Sequence, residues 1–474
     1  MRKARTTITN RRQFLHGAGG AAISAASLGG VTAALSGFQA QAADTSGYKA
    51  LVCVFLFGGL DCHDTVLPYD QTSYNSYAAI RSPLLDLYAA QPGGSSRDRA
   101  RLLPLTPDNA ANFGGRQFAL PEDFAGIHGL FQSGDAAIVG NVGPLIFPLT
   151  RAEWEAETVT TPKRLFSHND QQSTWLAGQP EGASFGWGGL FADAVLGGVP
   201  GPGVPYTTIA TFTNQLFLTG NQAAPYQVSP GGVSGVDVLN FFQGGNQQTY
   251  QALRDHFAAA NHVDTNLIEN DMAAAIGNSL TTNESYNEAI DNAVPLVTTF
   301  PQNFLGSQLR TIAQSISVRD ILSVNRQVFF AAIGGFDTHS AQATDMPALQ
   351  QEIDGAVVAF HQAMQELGLQ NDVTLFTASD FGRTLAINGD GTDHGWGAHH
   401  FVVGGAVTGR NIYGDIPEPV FDHNYDAGGG RLIPSTSVEQ FAEPLGRWFG
   451  LNDSEINAAL PNLSNFSSLA PAFV

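Results

Sequence analysis

Three short segments concentrate the side chains that could do chemistry. They are Gly58-Gly59-Leu60-Asp61-Cys62-His63-Asp64-Thr65, Gly334-Gly335-Phe336-Asp337-Thr338-His339-Ser340 and Ser379-Asp380-Phe381-Gly382-Arg383. A fourth, Gly391-Thr392-Asp393-His394-Gly395-Trp396-Gly397-Ala398-His399-His400, comes soon after. Carboxylate and imidazole are the ligands that hard and borderline divalent ions take, so delivery of both to one place is a metal-site pattern. In Asp337-x-His339, side chains two apart on an extended exit point the same way and can share one ion. A single acid after a strand also serves as a turn former or helix cap, and for Asp61 that alternative stands beside the ligand reading. His399 and His400 are neighbours on an expected strand and face opposite sides, so at most one can serve the site.

Phe166-Ser167-His168-Asn169-Asp170, with Gln172 and Trp175 beyond, is a second constellation. At a helix N-terminus, Ser167 could act as a nucleophile while backbone N–H groups hold a transferred oxyanion. It could equally be an N-cap and nothing more.

Strands must bring these residues together. KALVCVFLF at 49–57 is a continuous apolar run broken by Gly58-Gly59, which reads as a buried, central, parallel strand. AAIVGNV at 136–142, RQVFFAAIGG at 326–335, DVTLFTA at 372–378 and HFVVGGAV at 400–407 are further strands. Apolar positions Leu349, Ile353, Val357, Phe360, Met364 and Leu367 place a long amphipathic helix over 344–368. A shorter helix over 122–134 presents Phe124, Ile127, Leu130 and Phe131, and Ser437 can cap one from Val438 to Phe449. Residues 248–325 read as mostly helical, 91–115 as irregular, and 178–247 as a loop-rich insertion. Alternating strand and helix in the C-terminal third predicts a doubly wound, parallel α/β sheet, whose chemistry collects at the carboxyl ends of its strands.

Composition narrows the partners. Asn10-Arg11-Arg12-Gln13-Phe14-Leu15 is a twin-arginine motif behind a basic start, and Ala40-Gln41-Ala42 offers a signal-peptidase site. The leader is then 1–42, and 43–474 is a single mature α/β domain. Its expected handlers are the twin-arginine translocase and signal peptidase, and its destination is the periplasm or another extracytoplasmic space. Beyond the leader, 17 Lys and Arg face 42 Asp and Glu. Such a surface repels nucleic acid and anionic lipid, which excludes both as expected partners. No stretch after the leader has the ~20 apolar residues that span a bilayer. Cys53 sits in an apolar run and reads as a small hydrophobe, with a Cys53–Cys62 bridge as the alternative.

Taken in order, these pieces resemble the twin-arginine-exported bacterial family known as domain of unknown function 1501. The Arg11-Arg12 leader, Gly58-Gly59-x-Asp61 with Thr65 and Pro68, Ser167-His168 and Gly186-Trp187 carry the resemblance. So do Gly335-Phe336-Asp337-Thr338-His339, Phe381-Gly382-Arg383 and Asp393-His394-Gly395-Trp396-Gly397. Asp64 stands where Asn is usual, Asp380 where Glu is usual, and Arg410 interrupts a common Gly-Gly. The family is similar in turn to alkaline phosphatases and sulfatases. That similarity implies an α/β/α sandwich with a mostly parallel central sheet and two metals at the strand ends. By position it implies Asp61, Asp337, His339, Asp380, Asp393 and His394 as metal ligands, Ser167 as nucleophile and Arg383 as the neutraliser of developing charge. His168 and His400 are further candidates. Phe381 stands where those relatives have His, and Asp337-x-His339 is shorter than their D-x-x-x-H.

The expected activity is therefore metal-dependent hydrolysis of a small anionic phosphate or sulfate ester, using Zn, Mn, Ca or Mg. The competing expectation is a non-catalytic exported metal-binding or assembly partner on the same fold. A third is an enzyme acting on a polysaccharide or lipid headgroup.

Overall fold

The computed structural model describes residues 42–91, 95–197, 201, 203–213, 216–233, 239, 241–242, 244–258, 267–467 and 470–474. The twin-arginine motif and all of the leader but Ala42 lie outside the described residues, as do parts of the 91–115, 178–247 and 248–325 segments. Fourteen strands occur among the described residues. β1 is Lys49–Leu56. β2 (Leu67–Pro68), β3 (Leu103–Pro104) and β4 (Phe118–Leu120) form a small sheet of their own. β5 (Ala136–Gly143), β6 (Thr208–Ala210), β7 (Tyr226–Gln227), β8 (Arg326–Ile333) and β9 (Val373–Ser379) follow. β10 (Arg383–Asn388) and β11 (Gly391–His394) make a hairpin, and β12 (Ala398–Val403), β13 (Ile412–Gly414) and β14 (Thr436–Ser437) complete the chain.

The central sheet runs β13-β5-β12-β9-β1-β8-β6-β7, with β14 also paired to β5. Its pairings are parallel except at β12, which is antiparallel to both β5 and β9. Sequence alternation predicts parallel pairing there, and the hairpin explains the difference. Between β9 and β12 the chain makes only β10 and β11, with no crossover helix to carry it back, so β12 must run the other way.

Alternation along β1 divides the core. Ala50, Val52, Val54 and Leu56 face one side, packed with Ile127, Phe131, Leu309, Ile312 and Phe360. Leu51, Cys53 and Phe55 face the other, with Trp175, Phe191, Phe441 and Phe449. Each large apolar side chain buried this way contributes about 1.5–3 kcal/mol. Helices therefore cover both faces, and the fold is an α/β/α sandwich with a mostly parallel central sheet. The helix Gln342–Glu366 buries Ile353, Val357, Phe360 and Met364 at helical spacing. Val438–Phe449 starts at a capping box in which Ser437 and Gln440 satisfy each other's backbone N–H. Cys53 and Cys62 are both free, buried thiols, and burial pushes the Cys62 thiol up to about 12. Among the described residues no helix is long and apolar enough to cross a membrane.

Register positions the site. β1 pairs residue for residue with β8 and with β9, so Leu56 lies level with Ile333 and with Ser379. The three exits, at Gly58, Gly334 and Asp380, thus open side by side on one rim.

Candidate metal centre

On that rim three imidazoles surround one carboxylate. His168, Asp337 and His394 each place a ligand atom within 4.8 Å of the other two. His339 joins them: its Nε2 lies 3.1 Å from Asp337 Oδ1 and 2.9 Å from His394 Nε2. His394 Nε2 is 3.1 Å from the same Oδ1, and His168 Nε2 is 3.6 Å from Asp337 Oδ2. The Asp337 side chain is 47% exposed, so the cluster opens to solvent.

Each ring is oriented from behind. His168 Nδ1 lies 2.6 Å from Asp380 Oδ2, His394 Nδ1 2.8 Å from the Phe166 carbonyl, and His339 Nδ1 3.2 Å from Asp393 Oδ1. These oxygens accept hydrogen bonds, which assigns the proton of each neutral imidazole to Nδ1 and leaves the Nε2 lone pair facing Asp337. Oxygen partners of this kind behind histidines are the usual support of metal-binding imidazoles. The donor set therefore fits a divalent ion.

Local structure explains the supports. Phe166 has φ 70°, a left-handed conformation costing an aromatic residue about 1–3 kcal/mol. Its N–H is held by Gln171 Oε1, and its carbonyl turns to His394. Asp380 is fully buried; its Oδ2 also accepts from Gln172 Nε2 at 3.0 Å and from the Gly58 N–H at 3.2 Å. The hydrogen bond to Asp380 holds the His168 imidazole above its ordinary pKa. Partial burial pushes His394 below its own. Burial works to raise the Asp337 carboxyl, but the Arg383 guanidinium outweighs it and holds the carboxyl low.

Several residues expected at the site have other work. Asp61 is fully buried, and Arg81 grips it with two bonds of 2.7 and 3.1 Å. Gln342 Nε2 and the His63 N–H occupy its oxygens as well, so Asp61 is a cap and ion-pair residue with no oxygen left for a metal. Asp380 and Asp393 stand behind His168 and His339 and orient them, and Asp380 Oδ1 is left buried without a partner. Arg383 donates to Asp337 Oδ1 at 3.0 Å, to the Gly58 and Phe336 carbonyls, and to the hydroxyl and carbonyl of Thr392. Fully buried and donating to these five acceptors, it positions Asp337. Ser167 does hold the N-cap position of the helix His168–Ala177, but its hydroxyl donates to Asp170 at 3.0 Å. His400 is buried in β12, edge-on to Trp175 and beside Phe441, away from the cluster. Asp337, His339 and His394 come together as read, and His168 proves central. Arg81, Gln342 and the Phe166 carbonyl carry no signal in the sequence, because each acts through a fold contact.

Residues 48–460 match the family described as protein of unknown function, DUF1501. The chain belongs to that family. No functionally curated protein matches it. Among solved structures it is similar to the PsFucS1 sulfatase from Pseudoalteromonas sp., at 10% identity and a TM-score of 0.36, over 86% of this chain and 68% of that one. It is also similar to Ps i-CgsB in complex with a neocarrahexaose, at 10% identity and a TM-score of 0.33, over 86% and 74%. A Bacteroides thetaiotaomicron protein from work on glycosaminoglycan metabolism matches at 9% identity and a TM-score of 0.33, over 90% and 79%. At these scores the chemistry of the DUF1501 chain rests on its own side chains.

Proposed function

We propose that this protein is an exported, metal-dependent hydrolase of small phosphate or sulfate esters. One observation carries the reading: three imidazole Nε2 atoms converge on the solvent-open Asp337 carboxylate, each ring oriented by an oxygen behind it. A divalent ion held there polarises an ester oxygen and lowers the pKa of a water. The chain's own groups set the geometry. Asp380, Asp393 and the Phe166 carbonyl hold protons at Nδ1, and Arg383 holds Asp337. Arg431, stacked over Phe166 at 5.5 Å, supplies local positive charge against an acidic surface, while Arg164, 70% exposed, is paired with Asp170 at 3.3 Å. Water is the favoured nucleophile, since the Ser167 hydroxyl is committed to Asp170. The Arg11-Arg12 leader supports export in the folded state through the twin-arginine translocase, with signal peptidase cleavage and no membrane attachment afterwards.

The second reading, a non-catalytic exported metal-binding or assembly protein, is favoured by the same commitments of Ser167 and Arg383. Protein purified without chelator separates the two. The hydrolase reading expects a co-purifying divalent metal and turnover of an aryl phosphate or aryl sulfate. Asp337→Ala and His394→Ala should each cut turnover by about 100-fold or more. Bound metal with no turnover of either ester would sink the phosphate- or sulfate-ester hydrolase reading.

A further inference from the structure

We infer that the centre is built for one ion, not two: a zinc-type site in which His168, His394 and Asp337 supply two nitrogens and one oxygen and the fourth position stays open to solvent. The inference deepens the metal reading above and rests on it. Ligands about 2.0–2.1 Å from a tetrahedral ion lie roughly 3.3 Å from one another. His394 Nε2 stands 3.1 Å from Asp337 Oδ1 and His168 Nε2 3.6 Å from Asp337 Oδ2, on either side of that edge, and the ligand atoms of the three residues all lie within 4.8 Å of one another. The Nε2 atoms of His339 and His394 face each other at 2.9 Å while both Nδ1 positions address oxygens. Two lone pairs so placed repel unless a proton or a cation lies at the contact. A set richer in imidazole than in carboxylate selects zinc over magnesium or calcium.

Among the described residues a second ion finds no cluster of ligands. Its acids would have to be Asp61 and Asp380, with Asp64 nearby. Asp61 is locked to Arg81, and Asp64 is locked to Arg97 at 2.7 Å, with all four side chains fully buried. Asp380 gives one oxygen to His168, Gln172 and Gly58; its other oxygen is buried without a partner, a single donor where an ion needs several. Among the described residues, no cluster of three acidic or imidazole side chains converges apart from the one at Asp337. Buried guanidiniums supply permanently the positive charge that a second ion would bring.

The full chain, stripped with chelator and titrated with Zn(II) and then with Co(II), tests this. One equivalent of Zn(II) should bind, Mg(II) and Ca(II) should not displace it, and bound Co(II) should show the intense visible absorption of a four-coordinate ion. Asp380→Asn should weaken Zn(II) binding by about 10–100-fold, and His168→Ala by more. Asp61→Asn should leave Zn(II) affinity unchanged. Two equivalents, the weak absorption of six-coordinate Co(II), or an Asp61→Asn loss equal to that of His394→Ala would overturn the inference. If Asp61→Asn fails to fold, the Co(II) spectrum and stoichiometry of the parent chain still decide. One bound ion without ester turnover keeps this site and removes the hydrolase; two bound ions with turnover do the reverse.

Discussion

Asp61 illustrates what decides a residue's role at this site. Burial works to raise its carboxyl, yet the Arg81 guanidinium prevails and keeps it ionised. Removing one partner of such a pair leaves a buried charge uncompensated, at a cost of about 3–5 kcal/mol. Asp61→Asn should therefore lower stability by about that amount in urea unfolding. Adding Arg81→Gln should recover part of the loss, and a double variant no more stable than the single would contradict the pairing. The sequence showed an acid after a strand but not its partner, because Arg81 lies on the helix Gln71–Ala90 and meets Asp61 only through packing. Asp337 and His339 were legible because two residues of separation suffice to bring them together.

At the scale of elements, the rim depends on how closely strand exits approach. A Cβ on Gly58 would lie 2.3 Å from the Asp337 backbone nitrogen, and Gly58 has φ 118°. Gly58→Ala should cost about 1–3 kcal/mol from overpacking, plus backbone strain, and should weaken metal binding by displacing Asp337. Gly114, also left-handed at φ 61° but with nothing within 4 Å of an added Cβ, is the control. Gly114→Ala should show strain alone, read as a smaller fall in Tm with metal affinity intact. Equal effects of the two on metal affinity would mean that the contact at Gly58 does not set the site. β1, β5, β8 and β9 were readable because buried strands leave unbroken apolar runs. The reversal of β12 was not, since strand direction depends on how the chain returns to the sheet.

Across the whole molecule, buried imidazoles make stability depend on pH. Burial first, and the Arg81 charge next, lower His63 to about 4; burial lowers His399 and His400 to about 3. The unfolded chain binds protons on these rings near pH 6.5, and the folded chain does not until far lower. Stability is therefore complete above about pH 6.5 and falls with acid, by up to about 1.4 kcal/mol per pH unit for each ring. Tm of metal-free protein should drop between pH 6.5 and 4. His400→Phe, which keeps a ring against Trp175 and Phe441, should make that drop shallower, as thermal unfolding at several pH values would show. An unchanged slope would place the proton uptake elsewhere.

The sequence alone determined the acidic surface, the leader motif, the main strands and the segments that hold the chemistry. All of these follow from composition or from periodicities a few residues long. Tertiary structure decided which groups remain free: Asp61 and Arg383 are taken up by partners distant along the chain, while His168 gained Asp380, 212 residues away. A ligand is defined by the lone pair it has left once its neighbours are satisfied, and those neighbours exist only in the folded chain.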